Sequence, residues 1–426
     1  MPVNIIKTEQ FAELRQHNGY YVDKTGFLEE FLDSPADANL FTRPRGFGKT
    51  LLMSMLAEFF DITKDSRALF AGLKVSENGA LCREWMNQYP VIFLTLKGTE
   101  NPTFEQSLAH IHSQLRTFCG QHQYLLTSER VHYTIKDDIR QYLSGKTNKS
   151  TLRSSLHVLT RAMSCHYGRQ TIVLVDGYDV PLTKAEEKGY YDEMLVFMRG
   201  FLGNALKTNP YLKFGILTGV LPITDTSLNN LDRFGIADSA YSDVFGFTQE
   251  EVDQLLMDSG FEDKREEIKA WYGGYLFGKQ QESYCPWSIM NHLAALQDAP
   301  QKAPKAYWVG TSCKELLRDF AKHIPPEEDV QGKVAPLLDG YAIAARPPLY
   351  MNCNDILRSA NHFWTFLYLA GYLTLASNPA LFKGEKYARD IILAIPNREV
   401  REIFQDEMEV LLENTSDQDS LQEGLS

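Results

Sequence analysis

Short apolar runs alternate with longer stretches of helical periodicity through the first half of the chain. Leu40-Phe41, Val91-Ile92-Phe93-Leu94-Thr95-Leu96, Thr171-Ile172-Val173-Leu174-Val175-Asp176 and Lys213-Phe214-Gly215-Ile216-Leu217-Thr218-Gly219-Val220 read as buried strands. Between them lie helical patterns. One carries Leu51 to Phe60, a mostly helical region runs from about Thr103 to Tyr167, and another runs from Tyr190 to Leu206. Phe27, Leu28, Phe31 and Leu32 mark an earlier helix. Apolar strands alternating with helices predict an α/β fold with a parallel sheet covered on both faces. In such sheets ligands gather at the carboxyl ends of the strands. The segment Arg43 to Thr50, Asp176 and Thr218 all fall at strand ends, so one site can collect them.

After Phe245-Gly246-Phe247-Thr248 the pattern changes and helices dominate, over Gln249 to Ser259, Lys264 to Tyr272 and Ser288 to Leu296. A linker-like stretch, Ala299-Pro300-Gln301-Lys302-Ala303-Pro304, follows. Further helices are expected from Tyr307, including one over His362 to Leu375. A hairpin or wing then joins Leu373-Thr374-Leu375 to Ile391-Ile392-Leu393-Ala394-Ile395. Pro396-Asn397 breaks it, and a last helix starts near Glu399. The polar end, Glu413 to Ser426, is expected to be disordered. The expected division is a core over 1–247, a helical lid over 248–303, a C-terminal domain over 304–412 and a tail over 413–426.

Composition adds limits. A chain of 426 residues, 44% hydrophobic and 23% charged, has room for two or three ordinary globular domains. Its net charge of -12 disfavours nucleic acid as a non-specific partner. The cysteines Cys82, Cys119, Cys165, Cys285, Cys313 and Cys353 lie far apart and form no C-x-x-C or Cys/His cluster, so no zinc site is expected. Their spacing suits reduced thiols in a cytoplasmic protein. The N-terminus lacks a signal-peptide apolar region. The most apolar run, Phe363 to Ala376, is too short to span a bilayer and reads as a buried helix, so no membrane role is expected.

The candidate chemistry begins with Arg43-Pro44-Arg45-Gly46-Phe47-Gly48-Lys49-Thr50, which reads as a phosphate-binding loop between a strand and a helix. Backbone N–H groups of such a loop and of the helix N-terminus point at phosphates. Lys49 reaches the β- and γ-phosphates, and the Thr50 hydroxyl ligates Mg²⁺. The candidate nucleotide-contacting residues are Arg43, Arg45, Gly46, Phe47, Gly48, Lys49, Thr50 and Leu51. Arg43 stands where the motif's first glycine is usual. Arg43 and Arg45 touch phosphate or a neighbouring subunit, or are simply solvated, and Pro44 stiffens the loop entry. Asp176, ending a buried strand, is the expected Mg²⁺ partner through water. Gly177 follows it and has no side chain to activate a water. Asp179 either substitutes as a base or acts as a structural cap, the role favoured here. Thr218 either senses the γ-phosphate or caps its strand.

Tyr21-Val22-Asp23-Lys24-Thr25, the loop Arg43 to Thr50 and Leu174-Val175-Asp176-Gly177-Tyr178-Asp179 resemble the bacterial AAA-ATPase-like family. Further matches run in order: Leu217-Thr218-Gly219-Val220, Phe245-Gly246-Phe247-Thr248, Trp271-Tyr272-Gly273-Gly274-Tyr275, Tyr284-Cys285-Pro286-Trp287-Ser288, Tyr307-Trp308-Val309-Gly310-Thr311-Ser312 and Ile395-Pro396-Asn397-Arg398-Glu399-Val400. The resemblance implies a P-loop NTPase core, a helical lid and a winged-helix-like C-terminal region, with ATP and Mg²⁺ as cofactors. It also explains Arg43, since arginine is usual there in the family. Many members continue into a PD-(D/E)xK-type nuclease. No acidic pair with Glu-x-Lys on a strand follows Asn397, so nuclease activity is not expected of this chain.

Departures from the family pattern cluster. Gly46 replaces an arginine, Gly177 a glutamate, Pro222 an arginine, Gly273 an acid or amide, and Cys285 and Gly310 asparagines. The Ser-Gly-Leu piece usual before Asn229-Asn230 is shortened. The groups for holding Mg-nucleotide persist, while those for hydrolysing it are missing. The expected function is a nucleotide-binding switch with weak or lost hydrolysis, bound ATP bridging core and lid. The alternatives are an active ATPase using Asp179 or a neighbouring subunit, an interaction scaffold without nucleotide, and nucleic-acid contact by a winged helix. A protein partner or homo-oligomer is compatible with each.

Overall fold

The computed structural model describes residues 3–33, 35–99, 101–145, 147–222, 231–278, 281–308, 331–347, 359–384 and 387–408. The chain divides into two compact units. The sheet unit comprises Thr8–Thr42 and Lys49–Phe234, and the C-terminal unit comprises Met1–Lys7, Arg43–Gly48 and Gly235–Ser426. The candidate phosphate loop itself is shared out between the two units. Its first six residues group with the C-terminal unit and Lys49 opens the sheet unit.

The sheet unit is mixed α/β around a five-stranded sheet in the order β2-β3-β4-β1-β5. The strands are β1 (Ala38–Thr42), β2 (Val91–Thr95), β3 (Thr171–Asp176), β4 (Leu212–Gly219) and β5 (Leu231–Phe234). Every pairing is parallel. β1 and β3 are buried along their whole length, as continuous apolar runs require when helices cover both faces. β5 was not expected from the sequence. As an edge strand with exposed Asp232 and Arg233, it needs only one apolar face.

The long helical region resolves into Phe104–Gln121, Tyr133–Ser144 and Lys149–Tyr167. Each break has a local cause, clearest at Gly145 and Gly168, which end two of the helices in the left-handed conformation. The helix Lys49–Phe60 follows the loop and buries Leu52, Met53, Met55, Leu56, Phe59 and Phe60. The early motif Tyr21 to Thr25 proves to be a clamp on the chain near residue 74. Asp23 accepts from the Thr25 hydroxyl at 2.6 Å and from the Lys74 N–H at 2.7 Å, while Thr25 Oγ1 accepts from the Val75 N–H at 3.1 Å.

In the C-terminal unit, the helices Gln249–Ser259, Arg265–Tyr272 and Pro286–Asp298 appear where periodicity placed them. Thr248 and Glu251 close a capping box at the first. An unexpected short hairpin, β6 (Tyr275–Phe277) with β7 (Gln281–Ser283), lies between the second and third. The expected long helix over His362 to Leu375 is the shorter Ala360–Ala370, because Gly371 turns left-handed at φ 94° and ends it. The expected hairpin forms within a three-stranded antiparallel sheet, in which β10 (Ile391–Ala394) lies between β8 (Ile343–Ala345) and β9 (Thr374–Leu375). Residues 398–408 are helical. The winged-helix-like arrangement expected over 304–412 falls partly on residues outside the described ones, and the tail over 413–426 lies wholly outside them.

Candidate functional site

The register of the sheet fixes the chemistry at its carboxyl edge. Thr95, Asp176 and Thr218 stand side by side at the ends of β2, β3 and β4. Asp176 is fully buried. Thr218 donates its hydroxyl hydrogen to Asp176 Oδ1 at 2.7 Å, and Thr50 donates to Oδ2 at 2.9 Å. A buried carboxylate needs such partners, since an unpaired charge there costs several kcal/mol. The Thr218 side chain is thereby engaged with Asp176 along the sheet edge.

Lys97, which the sequence reading did not single out, completes this cluster. It lies two residues past the end of β2, and its ammonium donates to Thr50 Oγ1. The same nitrogen is 3.5 Å from Asp176 Oδ2 and 3.2 Å from Glu9 Oε1. The pattern that could have revealed it is positional: β2 runs next to β3 with Thr95 opposite Asp176, so a residue just beyond Thr95 sits at the same edge.

Asp179 behaves differently. It is also buried, but its Oδ2 accepts the backbone N–H groups of Val220 at 2.8 Å and Leu221 at 2.9 Å. The carboxylate pins the turn that follows β4. Burial pushes its carboxyl above the usual range, while those two N–H groups and the Lys49 charge pull the other way. Gly177 is left-handed at φ 69°, and a Cβ added there would lie 3.2 Å from Lys97 Cγ and 3.3 Å from Val180 Cγ2. Pro222 brings no hydrogen-bond donor to this edge. Residues 223–230, which include Asn229 and Asn230, lie outside the described ones.

The first part of the loop is held within the C-terminal unit. Arg43 is buried, donates to the Tyr241 carbonyl at 3.0 Å, and lies over the rings of Phe245 and Phe277 at 5.1 and 5.7 Å. Burial lowers its guanidinium to about 10, against the opposing effect of Asp238. Of the options open for Arg43, burial removes the solvated one: the side chain is packed. Phe47 is enclosed by Tyr275 and Phe277, with ring centroids 4.9 and 5.2 Å away. The Arg45 carbonyl accepts from Trp308 Nε1 at 3.0 Å, and the Gly46 carbonyl accepts from the Trp287 N–H at 3.2 Å.

The later sequence motifs build this cradle. Gly46 is left-handed at φ 78°, and a Cβ there would approach Cys285 Sγ to 2.8 Å. Burial pushes the Cys285 thiol up to about 12, so it is a neutral packing group. A Cβ on Gly274 would meet the Pro396 carbonyl oxygen at 2.2 Å, a close approach only glycine permits. Asn397 adds a bond from its side-chain amide to the Gly273 carbonyl at 2.8 Å. Glu399 Oε1 accepts the N–H groups of Tyr307 at 2.7 Å and Trp308 at 3.0 Å. Gly310, Thr311 and Ser312 of that last motif lie outside the described residues.

Lys49, Thr50 and Leu51 open the helix that continues the loop, and Gly48 before them is left-handed at φ 82°. Among the described residues no group of three or more His, Cys, Asp or Glu is arranged to hold a metal. A divalent ion here would rely on Thr50, Asp176 and a ligand's own phosphates, a hard oxygen set that suits Mg²⁺. The four described cysteines are unpaired. No helix among the described residues is long and apolar enough to cross a membrane.

The five-stranded parallel sheet and its many helices place the chain among mixed α/β proteins. The chain belongs to the AAA-ATPase-like family: the family model, described as "Predicted AAA-ATPase", matches residues 5–229. It is also similar, at 26% identity over 414 residues, to an uncharacterized protein in the vnfD 5' region of Azotobacter chroococcum mcd 1. That alignment covers 94% of this chain and 68% of the relative. No solved structure matches.

Proposed function

We propose that the chain binds ATP through the loop Arg43 to Gly48 and the helix start Lys49-Thr50-Leu51, and acts as a nucleotide-dependent switch with weak or lost hydrolysis. The loop backbone and the helix N-terminus supply N–H donors for phosphate, and Lys49 supplies charge. Thr50 and Asp176 would hold Mg²⁺, which when bound screens the phosphate oxygens. In this reading Thr218 orients Asp176, and Arg43 shapes the loop from behind.

The observation that carries the hydrolysis half is the pairing of Gly177 with Asp179. Position 177 has no side chain, and the carboxylate two residues on accepts two backbone N–H groups that pin the turn after β4. Neither position 177 nor Asp179, so engaged, is then free to orient an attacking water, and Pro222 adds no cation. Loss of a water-positioning group and of a charge-stabilising arginine each cost orders of magnitude in phosphoryl transfer.

Measuring nucleotide bound and phosphate released by the purified chain tests both halves. The expected result is saturable ATP binding, abolished by Lys49→Ala, with turnover far below one per minute. Absence of binding at millimolar ATP would favour a scaffold that needs no nucleotide. Robust phosphate release, lost in Asp179→Asn while ATP still binds, would restore the active-ATPase reading.

A further inference from the structure

We propose that the Lys97 ammonium is a tethered cation that takes the position of the divalent ion, so that nucleotide binds this chain without Mg²⁺ and Mg²⁺ must displace Lys97 to enter. The inference rests on the nucleotide-binding reading above and extends it to the identity of the counter-ion. Two independent observations carry it. First, the ammonium touches the two groups that would ligate the metal: it donates to Thr50 Oγ1 and lies 3.5 Å from Asp176 Oδ2. A positive charge and a divalent ion cannot share so small a space. Second, the neighbouring backbone makes room for it. Gly177 is left-handed, and a Cβ there would press on the Lys97 stem at 3.2 Å. The residue that removes the water-activating side chain thus also leaves the lysine its path to the edge.

The charge balance favours the arrangement. Asp176 is fully buried and Glu9 lies on the outer side, so Lys97 is flanked by two carboxylates, 3.5 and 3.2 Å away. Lys97 itself is 42% exposed along its side chain, so it can swing outward without unfolding the sheet. Lysine carries its charge on a flexible four-carbon stem, which suits a cation that yields to a competitor. Its charge is single where that of Mg²⁺ is double, so it neutralises triphosphate less completely and stabilises transferring phosphoryl charge less. That agrees with a chain that holds nucleotide rather than cleaving it.

The test uses the full chain with a fluorescent ATP analogue and, separately, Mn²⁺ followed by electron paramagnetic resonance. The wild-type chain should bind the analogue with affinities within about threefold in EDTA and in Mg²⁺. Lys97→Gln should lose about tenfold in EDTA and recover it in Mg²⁺, a change of about 1.4 kcal/mol. Lys97→Arg, which keeps the charge, should behave more like wild type and guards against a folding defect. In the nucleotide-free protein, Lys97→Gln should gain a bound Mn²⁺ that Asp176→Asn removes, whereas wild type should hold none. A wild-type affinity that collapses in EDTA as far as that of Lys97→Gln overturns the proposal, as does equal Mn²⁺ binding by the two chains. If neither chain binds the analogue, the nucleotide reading fails, and the Mn²⁺ comparison still decides the role of Lys97.

Discussion

The carboxyl edge of the parallel sheet and the cradle around Arg43–Gly48 carry departures from the same family pattern, yet the departures mean different things. In the cradle, Gly46 and Cys285 replace an arginine and an asparagine, and they are neighbours: a Cβ at position 46 would meet the Cys285 sulfur at 2.8 Å. One exchange accommodates the other, and the loop backbone remains bonded to Trp287 and Trp308. At the sheet edge, Gly177 stands where the family pattern has a glutamate, and the Lys97 stem lies beside it. A substitution is informative about activity only once its neighbours are known.

The largest expected effect concerns Asp179, whose meaning the comparison depends on. Asp179→Ala should destabilise the chain by about 3 kcal/mol, because two buried backbone N–H groups lose a charged acceptor. Urea unfolding measures this directly. A change within about 0.5 kcal/mol would mean the carboxylate is not structural, and the role of a base would reopen.

Nearly as large is the stabilisation by nucleotide. At about a hundred times its Kd, ATP should add about 2.7 kcal/mol to the wild-type chain and nothing to Lys49→Ala. Calorimetric melting with and without ATP checks it. Loss of the shift in Lys49→Ala but not in Thr50→Val would separate phosphate binding by the helix start from any contribution of the Thr50 hydroxyl.

Restoring the missing glutamate is the sharpest probe of the sheet edge. Gly177→Glu should destabilise by about 1–3 kcal/mol, since a side chain at φ 69° is strained and crowds Lys97. It should not produce turnover while Lys97 holds Thr50 and Asp176. Phosphate release appearing in Gly177→Glu alone would show that the lysine is no obstacle. Release appearing only with Lys97→Ala added would tie the two positions together.

The framework of the sheet unit was legible because continuous apolar runs leave little choice. β3 begins and ends where the run Thr171 to Asp176 does. Asp176 and Thr218 were readable as strand-end residues, but not their relation, which comes from a register that sequence does not carry. β5 was missed because its polar residues suit an edge, and Lys97 because a lysine after a strand looks like an ordinary solvated one. The surroundings of Arg43 were not legible either. Its charge suggested phosphate or water, whereas aromatic rings distant in sequence, Phe245 and Phe277, enclose it. The later motifs, read as signs of family, turn out to be the contacts that shape the loop.

The smallest effect tests the cradle. Gly46→Ala should cost about 1–2 kcal/mol, part from the left-handed backbone and part from the approach to Cys285. Cys285→Ala removes the sulfur and should relieve only the second part. A double-mutant cycle should therefore give a favourable coupling of about 1 kcal/mol, leaving the backbone cost intact. A coupling near zero would mean that the two exchanges are independent and that the loop owes its shape to the tryptophan contacts alone. A coupling that abolishes the whole cost would mean that the left-handed turn contributes nothing, and that Gly46 is needed only for the space it leaves to the sulfur.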